Sequence, residues 1–418
     1  MRTLLSAAFC LIGLSLSGQS LERVKRDVAV LTDSAMHGRG YVHEGQVRAA
    51  EFLAERFAEI GIKPLNGSYF QTFTFDVNVY EAPVELRVGK KDLRAGEDFI
   101  TDPSSGISEG TYKVQRFDST HFSSDAPLGL RRGRVPLVFT EGIRSPEQVS
   151  ALHDFEKEAA ANVPVIRVVP DKLTWSVGQR KHREAIAEVR AAVFPATAKP
   201  VREKVKKISL SIKPEMRTVS VANLIGKIPG RRSDSCFVFT AHYDHLGRMG
   251  DALFPGANDN ASGTAAMLDL AAYFAENPPP FDMYFIAFAA EEAGLLGSRY
   301  FVQNPRFDLS KIAFLINLDL AGSAAKGITV VNGRAHKDRM AQMAAINAES
   351  NYVPKIKLRG NAPNSDHYFF AEAGVPAVFI YTEGHITAYH DVHDTGDAAD
   401  WTGYAGYFNL LRTFIETF

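Results

Sequence analysis

Phe285-Ile286-Ala287-Phe288-Ala289-Ala290-Glu291-Glu292-Ala293-Gly294-Leu295-Leu296-Gly297 decides how this chain is read. An apolar run of strand length stops at two adjacent carboxylates, and a glycine-punctuated helix follows. Such a run suits a buried strand. In open α/β sheets, ligands gather outside the carboxyl ends of the strands. Two glutamates there are costly unless a cation faces them. The rest of the chain has to supply that cation and its other ligands.

Working outward, the same texture repeats. Phe237–Ala241 reads as a strand leading to a helix over Ala261–Phe274, and Met283–Ala289 as a strand leading to a helix over Gly294–Val302. Ile312–Leu318 follows, then a strand around Ile328–Val331 and a helix over His336–Ser350. A helix over Asp366–Ala373, a strand over Ala377–Tyr381 and a closing helix over Gly403–Phe418 complete the series. This alternation predicts an α/β fold, a mostly parallel mixed sheet flanked by helices on both faces.

Upstream, two helices are separated by a break at residues 33–40. The second, Glu44–Ile60, has helically spaced apolar residues and ends at Gly61, which suits a C-cap. His37 in the break has no partner nearby in sequence and reads as loop structure. Phe70–Val79 alternates as a strand with one polar face. Between these parts, residues 82–215 change character: short strand-like runs are separated by Gly/Ser/Asp/Pro loops, with a single helix over Pro146–Ala161. This predicts a β-rich domain inserted into a first domain made of residues 20–81 and 216–418. Its basic runs, Arg131-Arg132-Gly133-Arg134 and Lys204-Val205-Lys206-Lys207, read as a solvated face, and His121, His153 and His182 as scattered surface residues.

Composition sets the outer limits. The 418 residues allow two domains or one elaborated one, with 45% hydrophobic and 23% charged residues as in ordinary globular proteins. A formal net charge of −1 argues against electrostatic nucleic-acid binding. Arg2, the apolar run Leu4–Leu16 and the small residues Ser15, Ser17 and Gly18 predict an export segment over residues 1–19, cleaved just before Gln19 or Ser20. The run is too short to span a membrane, so the mature chain is expected without a span, secreted or periplasmic. Cys10 belongs to that segment. Cys236 then stands alone, which rules out an intramolecular disulfide; its apolar neighbours predict a buried, inert thiol.

Five segments carry candidate chemistry. His242-Tyr243-Asp244-His245 follows the first strand of the series, and Gly256-Ala257-Asn258-Asp259-Asn260-Ala261-Ser262-Gly263 follows a glycine-rich loop. Glu291-Glu292, then Asn317-Leu318-Asp319, and finally Tyr389-His390-Asp391-Val392-His393-Asp394-Thr395 complete the set. Imidazoles and carboxylates with no usable cysteine suit borderline-hard divalent ions, zinc first among them. Alone, a strand-end aspartate is more often a helix cap. Together on one sheet, these segments point to a metal centre.

The pattern His242-x-Asp244, Asn258-Asp259, Glu291-Glu292, Asp319 and Tyr389-His390 resembles the family of two-zinc exopeptidases, which includes bacterial secreted leucyl aminopeptidases and glutamate carboxypeptidase II. The likeness covers residues 216–418 well and 22–80 more loosely. It implies the zinc-exopeptidase (phosphorylase/hydrolase-like) fold and two Zn2+ ions, other divalent metals being alternatives. It also implies that His242 and Asp319 bind one ion, Glu292 and His390 the other, and that Asp259 bridges them. Glu291 would be the general base toward a water between the metals, Tyr389 a donor to the developing oxyanion, and Asp244 a support for His242. Family members in bacteria often carry a protease-associated domain where residues 82–215 lie; position and strand texture are similar, and such a domain is expected to contribute no ligands.

The residues themselves agree. Two metal ions ~3.5–4 Å apart need a bridging carboxylate, which a glycine-flanked Asp259 offers. Adjacent Glu291 and Glu292 leave a strand in different directions, so one can bind while the other moves protons. His245 is expected in the pocket wall, and His390 is preferred over His393 as ligand. Ser365-Asp366-His367 resembles a pocket-shaping segment of the family, with a helix cap as the simpler alternative. His385 is expected at the pocket rim. The pocket is expected between residues 359–366 and 382–388. The function expected is a secreted aminopeptidase acting on peptides. A glutaminyl cyclase using one zinc and a carboxypeptidase of the same fold are the alternatives, and a non-catalytic receptor-like relative would have lost ligands that are all present here. Side-chain preference and oligomeric state are not legible.

Overall fold

The computed structural model describes residues 20–123, 128–170, 172–194 and 205–418. The export segment expected over residues 1–19 and part of the basic run at 204–207 lie outside them. A nine-stranded mixed sheet forms the larger domain. Its core is four parallel strands in the spatial order Phe281–Phe288, Arg232–His242, Ile312–Leu318 and Ala377–Glu383. Antiparallel strands close both sides: Glu215–Ile228, which pairs with Phe281–Phe288 and along its length with Phe70–Val79, and Gly327–Val331, which pairs with Ala377–Glu383.

Strand Arg232–His242 shows why the sheet is covered on both faces. Phe237, Phe239 and Ala241 enter one apolar cluster, while Cys236 and Val238, alternating with them, enter another. Side chains alternate across a strand, so two buried sets at period two require helices above and below. Leu21–Leu31, Gly45–Ile60, Gly263–Glu276 and Tyr404–Glu416 cover the first face; Leu296–Gln303 and His367–Glu372 cover the second. Asp269, buried within helix Gly263–Glu276, accepts hydrogen bonds from Arg23 at 2.6 Å and Tyr404 at 3.1 Å. That satisfies a carboxylate otherwise costly to bury and pins the N-terminal helix to the core. Cys236 is buried, and burial pushes its thiol up to about 12, so it stays protonated and inert.

The second domain is an eight-stranded sheet whose strands lie between Glu85 and Ile212. Helix Pro146–Ala159, opened by a Ser145–Gln148 capping box, packs on it. Its other apolar cluster runs on into Leu246, Met249, Ala252 and Phe254 of the larger domain. The insert is therefore packed directly behind the loops that follow strand Arg232–His242. Among the described residues no helix is long and apolar enough to cross a membrane.

Candidate metal centre

The chain order of the parallel strands places the site. After Arg232–His242 the next central strand, Phe281–Phe288, lies on one side and the following one, Ile312–Leu318, on the other. Diverging connections leave a crevice at the carboxyl end of the first strand, where ligands bind in open α/β sheets. His242 is the last residue of that strand; Glu291 and Glu292 follow one neighbour and Asp319 the other. Asp259 enters from the turn Ala257–Ser262 and His390 from the loop after Ala377–Glu383.

Asp259 stands between two imidazoles. Its Oδ1 is 3.4 Å from His242 Nε2, and its Oδ2 is 3.0 Å from His390 Nε2. On the first side Asp319 Oδ1 also lies 3.4 Å from His242 Nε2; on the second, Glu292 Oε2 lies 3.2 Å from His390 Nε2. Two groups of donors, sharing one carboxylate, are thus brought together. Glu291 Oε2 is 4.0 Å from His242 Nε2. Asp319 Oδ1 is buried and has no hydrogen-bond partner, as expected of an oxygen aimed at an ion.

Electrostatics agree with a cation requirement. At an effective dielectric constant of about 20, two unit charges 4 Å apart interact by about 4 kcal/mol, so Asp259, Glu291, Glu292 and Asp319 cannot share this space without positive charge. Burial works against a charged His390, yet Glu292 and Asp259 overcome it and lift the imidazole to about 11. His242 is likewise held well above its ordinary value, burial being outweighed by Glu291 and Asp319. Burial opposes the charge on Glu292 too, and His390 with His245 brings its carboxyl down to about 2. Glu291 differs. Burial dominates there, and with Glu292 and Asp366 close by its carboxyl rises well above the usual range despite the pull of His242. The two neighbouring carboxyls are thus pushed in opposite directions.

Supporting contacts reach far along the chain. Ala290, Leu320 and His390 all have positive φ, of 56°, 56° and 52°. Left-handed backbone at non-glycine residues costs of order 1–3 kcal/mol each and clusters at functional sites. Here it turns the chain at His390 and beside Glu291 and Asp319. At Gly263 an added Cβ would meet Asn260 Oδ1 at 2.3 Å and Leu318 O at 2.5 Å, so the Asp259 turn can pack against the Asp319 strand only with glycine there.

Several contacts are not legible in the sequence. Arg39, fully buried, donates to the carbonyls of Leu31, Tyr243, Pro255 and Gly256 at 2.6–2.9 Å and so fixes the turn before Asp259. Asp394 accepts the N–H groups of Asn258 and Asp259 at 2.8 and 3.0 Å. Ser365 Oγ donates to Asp319 Oδ2 at 2.8 Å. Trp175, from the insert, places its carbonyl 3.0 Å from His390 Nδ1. For Arg39 the available signal is Gly38-Arg39-Gly40, a charged residue between two that lack side chains.

Other residues fall differently from expectation. His245 is not in the pocket wall. It is fully buried behind Glu292, with Nδ1 2.7 Å from Glu292 Oε1, and its Nε2 is unpartnered. Its spacing with Glu292 and Asp259 also makes it a possible donor to the second group. Asp244 meets His242 Nδ1 through its backbone carbonyl at 3.2 Å; its carboxylate is 3.9 Å away, beyond hydrogen-bond range. That carboxylate is already engaged by the Tyr41 hydroxyl and the Glu291 and Glu292 N–H groups. Asp366 makes no capping bond at its helix; its carboxyl is buried without partners beside the cluster, and burial raises it to about 7 against the pull of His242. His393 is exposed and borders a separate groove.

The metal-site side chains open onto a cleft of about 410 Å³. Leu295, Leu320, Pro363, Phe379 and Tyr381 give it apolar walls, and among the described residues Arg359 is the one guanidinium lining it. Residues 359–364 contribute as expected, whereas the facing wall is Phe379 and Tyr381 instead of residues 382–388. Tyr389 is 44% exposed at the mouth, its ring stacked on His390 with centroids 4.0 Å apart.

A carboxylate-bridged pair of donor groups at the switch point of a mixed α/β sheet defines a metallohydrolase-like domain. Residues 223–415 match the family model described as Peptidase family M28. Among curated relatives, it is 33% identical over 165 residues to Aminopeptidase YwaD of Bacillus subtilis, covering 37% of this chain and 35% of that one. It is 31% identical over 189 residues to Leupeptin-inactivating enzyme 1 of Streptomyces exfoliatus, covering 44% and 40%. The aligned segments thus span well under half of those relatives' lengths. The fold extends further. A zinc aminopeptidase from Bacillus subtilis superposes with a TM-score of 0.68 over 95% of this chain and 94% of that one, at 20% identity. An aminopeptidase from Aneurinibacillus sp. strain AM-1 does so with a TM-score of 0.65 over 95% and 93%, also at 20% identity. The insert is included in that likeness.

Proposed function

We propose that this chain is an exported aminopeptidase that holds two zinc ions and hydrolyses the N-terminal peptide bond of peptides. The observation that carries this reading is Asp259, with one oxygen toward His242 and the other toward His390. His242 and Asp319 would hold one ion, Glu292 and His390 the other, with Asp259 between them. When bound, such ions polarise the scissile carbonyl and acidify a water between them.

The remaining work falls to the chain's own residues. Glu291, its carboxyl raised by burial, takes a proton from the attacking water and delivers it to the leaving amine. Tyr389 lines the cleft, and its phenol, an acid too weak to lose its proton near neutral pH, would donate to the oxyanion. Leu295, Leu320 and Phe379 receive an apolar first side chain. A carboxypeptidase specific for acidic termini needs a cluster of guanidinium groups to hold two carboxylates, and among the described residues Arg359 alone lines the cleft.

The test uses the purified protein on a series of aminoacyl-anilides and on an N-terminal glutaminyl peptide, with and without chelator and added zinc. Release of the first residue, abolished by chelator and restored by zinc, is the expected result. Ammonia release from the glutaminyl peptide alone would instead make the chain a glutaminyl cyclase.

A further inference from the structure

The inserted domain contributes none of the ligands above, yet one of its segments reaches the centre. Residues 172–179 leave the insert's sheet between strands Val165–Val169 and Ile186–Arg190 and run along the loops that carry His390 and Glu292. Trp175 grips His390 from both directions: its N–H donates to the His390 carbonyl at 3.0 Å, and its own carbonyl lies 3.0 Å from His390 Nδ1. A carbonyl can only accept, so Nδ1 must carry the proton and Nε2 is left as the bare donor facing Asp259 and Glu292. The indole, 4% exposed, is itself fixed against Tyr80 and Phe254, with ring centroids 5.8 and 4.7 Å away.

Lys172 holds the same loop from the other end. Its Nζ pairs with the buried Asp391 carboxylate at 2.5 Å and donates to the carbonyls of Thr387 and Tyr389 at 2.9 and 3.0 Å. All three ammonium protons are spent on the residues around His390. At the far end, the Gln179 side-chain amide donates to the carbonyl of Ala293, next to Glu292. These contacts reach the loops of one donor pair, Glu292 and His390. None of them touches His242 or Asp319.

We infer that the inserted domain sets the affinity of one of the two metal positions, through the strap Lys172–Gln179, with Lys172, Trp175 and Gln179 as positioning residues for His390 and Glu292. The inference rests on the two-metal reading above. Outer partners of metal-binding imidazoles typically change affinity by roughly 10- to 100-fold when removed, and here those partners belong to another domain.

The experiment is zinc titration of the full-length protein in competition with a chromophoric chelator, yielding two dissociation constants, for wild type, Lys172→Met, Gln179→Ala and Lys172→Arg. The Lys172 and Gln179 side chains lie on the surface, so the variants should fold, and a melting curve checks this. Expected is a weakening of one site by roughly 10- to 100-fold in Lys172→Met, a smaller change at the same site in Gln179→Ala, no change at the other site, and partial recovery in Lys172→Arg. Two unaltered constants in both Lys172→Met and Gln179→Ala overturn the inference and leave the two-metal reading standing. Equal weakening at both sites with a lower melting temperature overturns it too, by making the strap a general structural support. Wild type that binds one ion overturns the two-metal reading itself.

Discussion

The carboxylate of Asp244 holds the backbone of Glu291: its Oδ1 accepts the Glu291 N–H at 3.0 Å, while Oδ2 takes the Tyr41 hydroxyl at 2.7 Å. Asp244 therefore ties the strand end that carries His242 to the turn that carries the proposed base. Asp244→Asn keeps the shape but turns one acceptor into a donor facing an N–H or a hydroxyl. The expected outcome is a fall in kcat of roughly 10- to 100-fold with a much smaller change in KM, because the base moves while the substrate walls do not. Steady-state kinetics on an aminoacyl-anilide decide it; a change confined to KM would mean that Asp244 acts on the cleft instead.

Glu291→Gln removes the proton carrier and leaves the size of the side chain unchanged. Since the donors that would hold zinc lie elsewhere, zinc content by elemental analysis should match wild type. Turnover should drop by roughly 10²–10⁴-fold. Loss of zinc together with activity would identify Glu291 as a ligand.

Arg39 offers a test of what fixes the Asp259 turn. Its guanidinium is wholly buried and bound to five carbonyls, that of Asp259 among them. Burial pulls it down to about 10, while Asp394, Asp259, Asp244 and Glu292 oppose that pull and keep it charged. Each carbonyl left bare in the interior costs about 1–3 kcal/mol. Arg39→Met should therefore destabilise the fold by on the order of 3 kcal/mol or more. Arg39→Lys should fall well short of rescue, since an ammonium lacks the planar fork that spans these carbonyls. Denaturant unfolding measures both, and a lysine variant as stable as wild type would refute the account.

These examples show which parts of the site could be read from sequence. His242, Glu291, Glu292 and Asp319 stand where apolar strands end, and the order of those strands determines that they meet. Asp259 was marked by its flanking glycines. The supports were hidden for one physical reason: Arg39, Asp394 and Trp175 act on backbone groups, and every residue has a carbonyl or nearly always an N–H. Their partners are also remote, 204 residues away for Arg39 and Tyr243 and 215 for Trp175 and His390. Spacing puts Asp244 near His242 but does not tell whether its carboxylate or its carbonyl faces the ring.

Ser365 holds Asp319, a member of the donor pair that the strap does not touch. A buried chain of side chains runs from Thr240 to Asn317 at 2.7 Å, from Asn317 to Ser365 at 2.7 Å and from Ser365 to Asp319 Oδ2 at 2.8 Å. With Oδ2 tied, Asp319 has only Oδ1 free, 3.4 Å from His242 Nε2. Ser365→Ala unties the carboxylate and strands the Asn317 amide, so the His242–Asp319 position should lose roughly 10- to 100-fold in zinc affinity. The Glu292–His390 position should keep its own, the mirror image of Lys172→Met. Combining the two substitutions adds a further check. Independent sites should give losses that add to within about 0.5 kcal/mol, whereas a larger discrepancy would measure coupling through Asp259, the one ligand both ions would share. Chelator-competition titrations of the two single variants and the double variant supply all three numbers, and a Ser365→Ala protein that weakens both positions equally would show that the relay supports the whole crevice and not Asp319 alone.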